Sequence, residues 1–155
     1  MSIETAKADL ESKIGTETNV GPWLTISQEM INQFAAVTRD EQWIHVNPEL
    51  AEAHSPYGTT IAHGYFTLSL TTFLTELVNP DKPGYPGVKL AVNYGLNKVR
   101  FPHPVKVDSR IRARTTLQSF EEVRGGLQLI NTIYVEIEGE AKPGCVAESV
   151  SRLYF

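Results

Sequence analysis

The side chains best suited to proton transfer are concentrated between residues 39 and 64. They are Asp40, Glu41, His45, His54 and His63. Asp40 and His45 lie five residues apart in a segment with neither helical nor strand periodicity, so a bend can turn both into one cleft. A histidine titrates near pH ~6.5 and a carboxylate can orient it, which makes such a pair the minimum for general acid–base chemistry at neutral pH. The same spacing also fits a simpler interpretation, in which Asp40 ends a helix and His45 is a polar surface residue.

His63 and Gly64 form a second candidate site because they open a long apolar segment, 64–78, that predicts a helix. The first N–H groups of a helix have no partner within it. They therefore attract an anion or a developing oxyanion, and glycine lets a substrate approach the backbone closely. Gly64 can also be explained as a glycine that permits tight packing, and the sequence leaves both explanations open.

Patterns for other chemistries are missing from the sequence. The acids and histidines do not match H-E-x-x-H, and there is no G-x-S-x-G, G-x-G-x-x-G or phosphate-binding loop. The single cysteine, Cys145, excludes an internal disulfide and a cysteine-based zinc site, and we interpret it as a small buried residue. We therefore expect no metal and no nucleotide cofactor.

The composition is that of one globular domain that acts on a small molecule. The chain has 155 residues, of which 41% are hydrophobic and 21% charged. The net charge is −4 and the 14 basic residues are scattered, which argues against a nucleic-acid partner. Neither a membrane span of ~18 apolar residues nor a signal peptide is visible. These features predict a cytoplasmic protein.

The elements that must position the candidate residues are helices in the first half and strands in the second. Residues 1–19 are interpreted as an N-terminal arm, and 20–155 as the domain. Helices are predicted over 28–38, after the N-cap Ser27, over 48–53, after the N-cap Asn47, and over 64–78, the last enclosed on nearly all sides. Four antiparallel strands follow, with a bulge at Gly95 and a hairpin at Gly125-Gly126. A sheet packed around one apolar helix buries both, so we expect a single α+β domain.

The two motifs resemble those of the MaoC-like dehydratases, a family that includes the (R)-specific enoyl-CoA hydratases and the NodN-like proteins. The hydratase signature D-x-N-P-x-H is matched at its two ends by Asp40 and His45, and the helix-opening I-x-H-G is matched at residues 61–64. Gln42 and Trp43 stand where the hydratases have Asn and Pro, which looks like the NodN-like branch. The resemblance covers roughly residues 20–155.

The resemblance implies a hot-dog fold, in which an antiparallel sheet wraps around a long central helix. It implies reversible hydration of trans-2-enoyl thioesters, as CoA or acyl carrier protein esters, to (R)-3-hydroxyacyl thioesters, with no cofactor. Asp40 and His45 match the catalytic pair, and the amide of Gly64 matches the group that holds the thioester carbonyl. The further candidates for substrate binding are His63, Tyr57 and Thr72.

Two other functions and the oligomeric state complete the sequence-based expectations. A hot-dog thioesterase usually carries an acid on the central helix, and the only one here is Glu76, far from Gly64. A non-catalytic acyl-binding module would make Asp40 and His45 replaceable.

Because the resemblance implies a site at a dimer seam, and because 127–137 shows no evident edge protection, we expect a homodimer or a higher even oligomer.

Overall fold

The computed structural model describes residues 3–77, 79, 81, 85 and 87–155. Within this part of the chain the strands form one antiparallel sheet in the order β1-β4-β5-β6-β3, and the short β2 pairs with β4. The strands are β1 (Glu17–Val20), β2 (Leu24–Thr25), β3 (Leu90–Arg100), β4 (Arg110–Val123), β5 (Gly126–Ile137) and β6 (Cys145–Tyr154). The four long strands expected from the sequence are confirmed, as are the β3 bulge around Gly95 and the hairpin before Gly126.

The helices precede the long strands. They are α1 (Ile3–Lys13), α2 (Gln28–Thr38), α3 (Trp43–Val46), α4 (Pro48–His54), α5 (Gly64–Ser69) and α6 (Thr71–Leu74). The predicted caps form, since Ser27 accepts a hydrogen bond from the Met30 amide and Asn47 accepts one from the Leu50 amide. None of the helices within the described residues is long and apolar enough to span a membrane.

The central helix is shorter than the segment 64–78 predicts. It consists of α5 and α6, which share Leu70 as a cap, and it ends at Leu74. Ser69 and Thr71 donate their hydroxyls to preceding backbone carbonyls, a competition that weakens a helix, and Glu76 then adopts φ 55°. The predicted end at Val78 lies outside the described residues.

The prediction that this helix is enclosed on nearly all sides is wrong for the single chain. Phe66 and Leu74 are buried, but Tyr65 is 71% exposed and Phe73 is 55% exposed. Both exposed rings lie on one face because they are eight residues apart in a helical segment. The helix therefore packs on the sheet with one face and leaves an aromatic stripe uncovered.

The N-terminal segment 1–19, interpreted from the sequence as an arm, contributes α1 and most of β1 to the folded unit. Ala6 and Leu10 on α1 are fully buried, and β1 pairs with β4. The expectation that 127–137 carries an unprotected edge is wrong, because β5 lies between β4 and β6. The long edge strand is β3, where Tyr94 and Leu96 are exposed.

Candidate active site

A small hydrogen-bond network links α2, α3 and the segment that leads into α5. The Gln28 amide donates to the backbone carbonyl of His45 at 2.7 Å, and the buried Thr60 hydroxyl donates to the Gln28 carbonyl. The Ile61 amide donates to the Ile44 carbonyl at 3.1 Å. These bonds fix the one-turn helix α3, which the aperiodic segment 40–46 did not predict, and they position His45.

The imidazole of His45 is held in its neutral form. Its side chain is buried, and Nδ1 lies 2.7 Å from the backbone carbonyl oxygen of Ile61. Because a carbonyl only accepts, Nδ1 carries the proton and Nε2 keeps its lone pair. Burial lowers the pKa of His45, as does the neighbouring His63, whereas the bond to Ile61 and the Asp40 carboxylate act in the opposite direction. The net effect keeps the imidazole uncharged at neutral pH.

His63 connects the two halves of the candidate pair. It is 2% exposed, and its ring stacks on that of His45 with the centroids 3.8 Å apart. Nε2 donates to the backbone carbonyl of Asp40 at 2.9 Å, while Nδ1 is buried and finds no donor among the described residues. His63 thus holds the Asp40 backbone beside the His45 ring.

Asp40, His45 and His63 form one cluster, in which a ligand atom from each lies within 4.8 Å of the others. Asp40 is exposed, so its carboxylate reaches solvent while both imidazoles are buried. The structure therefore brings the sequence-predicted pair together, and His45 is not a surface residue. A carboxylate beside a neutral imidazole can exchange protons with a water molecule or a substrate; three such groups could also hold a divalent cation.

Gly64 is the first residue of α5, and His63 precedes it without a side-chain cap for the helix. A Cβ at Gly64 would lie 2.7 Å from the Phe101 ring, so the glycine makes room for this ring. Phe101 is 41% exposed and contacts Tyr65 edge-on with the centroids 6.0 Å apart. The packing explanation for Gly64 thus has a structural basis, while the proposed role of its amide stays a prediction.

The remaining candidates lie in two separate cavities. Tyr57 lines a small one of about 250 Å³ beside Gly64 and Phe101. Thr72 lines a larger one of about 1030 Å³ and accepts a hydrogen bond from the Asn93 amide at 3.2 Å. Ser69, on the same helical segment as Thr72, instead donates its hydroxyl to the backbone carbonyl of Tyr65.

Cys145 is buried as expected. Burial raises the pKa of its thiol to about 11, so the sulfur is protonated at neutral pH.

Sequence reasoning missed Gln28, Thr60 and Phe101, because each acts through a contact with a residue more than 30 positions away. No local pattern signals such contacts.

An antiparallel sheet packed on a central helix, with a cluster of one carboxylate and two imidazoles near the start of that helix, defines a hot-dog domain. Residues 9–139 match the family described as MaoC like domain, and the chain belongs to this family. The fold predicted from the sequence is confirmed.

Relatives and solved structures agree with this assignment. The chain is 51% identical over 146 residues to 3-hydroxyacyl-thioester dehydratase Z of Mycobacterium tuberculosis, covering 94% of this chain and 93% of the relative. It is 40% identical to Nodulation protein N of Rhizobium leguminosarum bv. viciae, over 98% of this chain and 93% of that protein. The (R)-hydratase from A. caviae has a similar fold, with a TM-score of 0.66 at 20% identity, over 86% of this chain and 95% of that one. The predicted enzyme class, hydro-lyase, is confirmed.

Proposed function

We propose that the protein hydrates trans-2-enoyl thioesters reversibly to (R)-3-hydroxyacyl thioesters, with CoA as the carrier. The observation that carries the proposal is the cluster in which one ligand atom each of Asp40, His45 and His63 lies within 4.8 Å of the others, with His45 Nδ1 bonded to the Ile61 carbonyl. The dehydratase named among the relatives acts on 3-hydroxyacyl thioesters, the same bond in the reverse direction. The proposal is tested by mixing the protein with a short enoyl-CoA and measuring whether the conjugated thioester disappears.

The reaction needs one water molecule and two proton transfers. Asp40 orients the water, and His45 Nε2 removes a proton as the oxygen attacks C3. The electron pair of the double bond moves onto the thioester oxygen, and the amide of Gly64 binds the enolate that forms. Protonated His45 passes this proton to the Asp40 carboxylate, and Asp40 delivers it to C2 as the enolate collapses, so that water supplies both added groups and both side chains return to their starting states. The conjugated carbonyl already activates C3, so this sequence requires no metal ion.

The pH dependence of this activity follows from His45. The pKa of His45 in the folded protein lies below the ~6.5 of an unfolded chain. We expect kcat/KM to be constant above pH ~6.5 and to fall as the pH drops through the lowered pKa, because protonated Nε2 cannot act as a base.

Stability should change in the same pH window. Between the two pKa values the unfolded chain binds more protons, so the contribution of neutral His45 is full above pH ~6.5 and is lost as the pH falls through its folded-state pKa. Denaturant unfolding at several pH values measures this. His45→Gln should remove part of the fall in the free energy of unfolding at acid pH. His54→Gln, at an exposed position, should retain the whole of this fall. A kcat/KM that stays constant across the pH range in which the His45-dependent part of the stability is lost would contradict the assignment of His45 as base.

The exposed edge strand supports a homodimer. Leu96 on β3 lines the same cavity as Thr72 of the central helix, and Phe101, just beyond β3, contacts Tyr65 in the exposed aromatic stripe of that helix. A long unpaired edge with exposed apolar side chains is a pairing surface. We propose that two copies pair through β3 and cover this stripe, which lies next to Gly64.

Light scattering at micromolar concentration should therefore give a dimer or a higher even oligomer. Leu96→Lys should shift the protein toward monomer and lower activity roughly tenfold or more, because the site loses its covering surface. Val37→Lys is the matched control, since Val37 is 82% exposed on α2, away from β3. A wild-type monomer with full activity would contradict a site built at the seam.

A further inference from the structure

The helix α3, which carries His45, is too short to be stable alone. It has four residues, Trp43–Val46. A single helical turn fixes several backbone dihedral angles for few hydrogen bonds, so it needs support from other elements. The last carbonyls of a helix also have no partner within it. The position of the His45 imidazole therefore depends on the groups that bind the carbonyls of Ile44 and His45 from outside the helix.

Two donors from other elements bind these carbonyls. The backbone amide of Ile61 donates to the Ile44 carbonyl at 3.1 Å, and the side-chain amide of Gln28 donates to the His45 carbonyl at 2.7 Å. Gln28 is the first residue of α2, so its side chain connects this helix to α3. The same nitrogen also donates to the Asn32 side chain at 2.9 Å, which fixes the orientation of the Gln28 amide.

The hydrogen bonds of Gln28 belong to a closed ring. The hydroxyl of the buried Thr60 donates to the Gln28 side-chain oxygen. The next residue in the chain is Ile61, whose carbonyl accepts the proton of His45 Nδ1 at 2.7 Å. The His45 carbonyl closes the ring because it accepts from Gln28. The ring joins α2, α3 and the segment before α5, so none of these three can shift without breaking one of its bonds.

One side of the ring is anchored to the segment between β3 and β4. The Val107 amide donates to the Thr60 carbonyl at 3.0 Å, and the Ala62 amide donates to the buried Val105 carbonyl at 2.7 Å. These two bonds hold Thr60 and Ile61 from the side opposite to α3. If the ring opened, α3 would therefore be the part that moves.

We propose that Gln28 is a positioning residue for hydration, which acts through this ring on the His45 imidazole. The inference rests on the proposed hydratase function, in which His45 Nε2 is the base. The ring specifies the nitrogen that carries the proton, since only Nδ1–H can donate to the Ile61 carbonyl. Without Gln28, α3 can turn, and His45 can adopt the tautomer in which Nε2 carries the proton and cannot remove one from water.

The kinetic test compares two glutamines of α2. Gln28→Met keeps the length of the side chain and removes the hydrogen bonds of its amide. We expect kcat for a short enoyl-CoA to fall ~10–100-fold, with KM changed less than about threefold, because the base is displaced while the thioester site is kept. Gln33→Met is the matched control, since Gln33 is exposed and donates to Glu29 within the same helix. Its kcat should equal that of the wild type.

The Thr60 hydroxyl offers a conservative rescue. Thr60→Val removes the hydroxyl at nearly constant volume and opens the ring at the Gln28 side-chain oxygen, so kcat should fall as in Gln28→Met. Thr60→Ser retains the hydroxyl and should retain kcat. Because a ring opened at one bond is already open, the double variant with Gln28→Met should lose about as much as the more impaired single variant, rather than the product of both losses.

Nitrogen NMR of protein with labelled histidines reads the tautomer directly, at a pH of ~8 where imidazoles are neutral. The wild type should show His45 with its proton on Nδ1 and His63 with its proton on Nε2, as their carbonyl partners require. In Gln28→Met the His45 signals should shift toward a mixture of both tautomers, while His63 stays unchanged. General destabilisation would not change one tautomer selectively.

A wild-type kcat in Gln28→Met would overturn the inference, and so would a loss of kcat with an unchanged His45 tautomer. If Gln28→Met does not fold, Gln28→Glu provides the same comparison, because an ionised carboxylate accepts from Thr60 but cannot donate to the His45 carbonyl. A wild-type protein that converts no short enoyl-CoA would instead contradict the proposed function. The tautomer comparison would then still decide whether Gln28 positions His45.

Discussion

Replacing His45 with asparagine lowers the hydration rate of a short enoyl-CoA by ~10²–10⁴-fold, the usual contribution of a positioned acid or base. The asparagine amide can donate to the Ile61 carbonyl in place of Nδ1, so the frame around α3 is kept while the Nε2 lone pair is lost. His45→Gln should lose as much. Asp40→Asn should cause a loss of the same order, because it removes the carboxylate at an exposed position with little effect on packing.

Circular dichroism and thermal melting establish that these variants remain folded, and His54→Gln is the matched histidine control. His54 lies at the exposed end of α4, and its replacement should leave turnover unchanged. A variant of Asp40 or His45 that keeps more than a third of the wild-type turnover rules out that residue as a member of the dyad.

The second large effect is expected at Gly64. Gly64→Val should lose activity through both kcat and KM, with kcat falling ~10²–10³-fold, the range seen when a donor to a developing oxyanion is lost. A β-branched side chain at the helix start blocks the thioester and pushes its oxygen away from the amide. The same side chain would meet the Phe101 ring at 2.7 Å, so a loss of stability of about 1–3 kcal/mol is expected as well.

A double variant separates the two roles of Gly64. Phe101→Ala removes the ring that a Cβ would strike, so Gly64→Val in the Phe101→Ala background should regain most of the lost stability. If the amide binds the enolate, activity stays low in the double variant relative to Phe101→Ala alone. Recovery of both kcat and KM together with the melting temperature would show instead that Gly64 only makes room for Phe101.

Local patterns were sufficient to predict most of the elements. The caps Ser27 and Asn47 and the bulge at Gly95 are signals within a few residues of their effects, and each is confirmed. The end of the central helix was not predictable from apolar periodicity, because hydroxyl bonds to backbone carbonyls and the positive φ of Glu76 end it at Leu74. The edge of the sheet depends on strand order, which alternation within 127–137 does not encode.

The candidate site was predicted in its members but not in its geometry. The five-residue spacing placed Asp40 and His45 in one cleft, and the structure brings them together. The tautomer of His45 depends on the Ile61 carbonyl, 16 residues away, and on the stacked ring of His63. Such contacts arise only when α3 and the segment before α5 pack together, so a sequence pattern cannot specify them.

The central claim, stereospecific hydration of an enoyl thioester, is tested most directly by incubating the wild-type protein with trans-2-butenoyl-CoA and analysing the products. The account predicts a reversible loss of the conjugated thioester, formation of the (R)-3-hydroxy ester and no release of free CoA. The same mixture should be reached from the (R)-3-hydroxy ester. Release of free CoA would identify a thioesterase, and formation of the (S) ester or no reaction would contradict the proposed function.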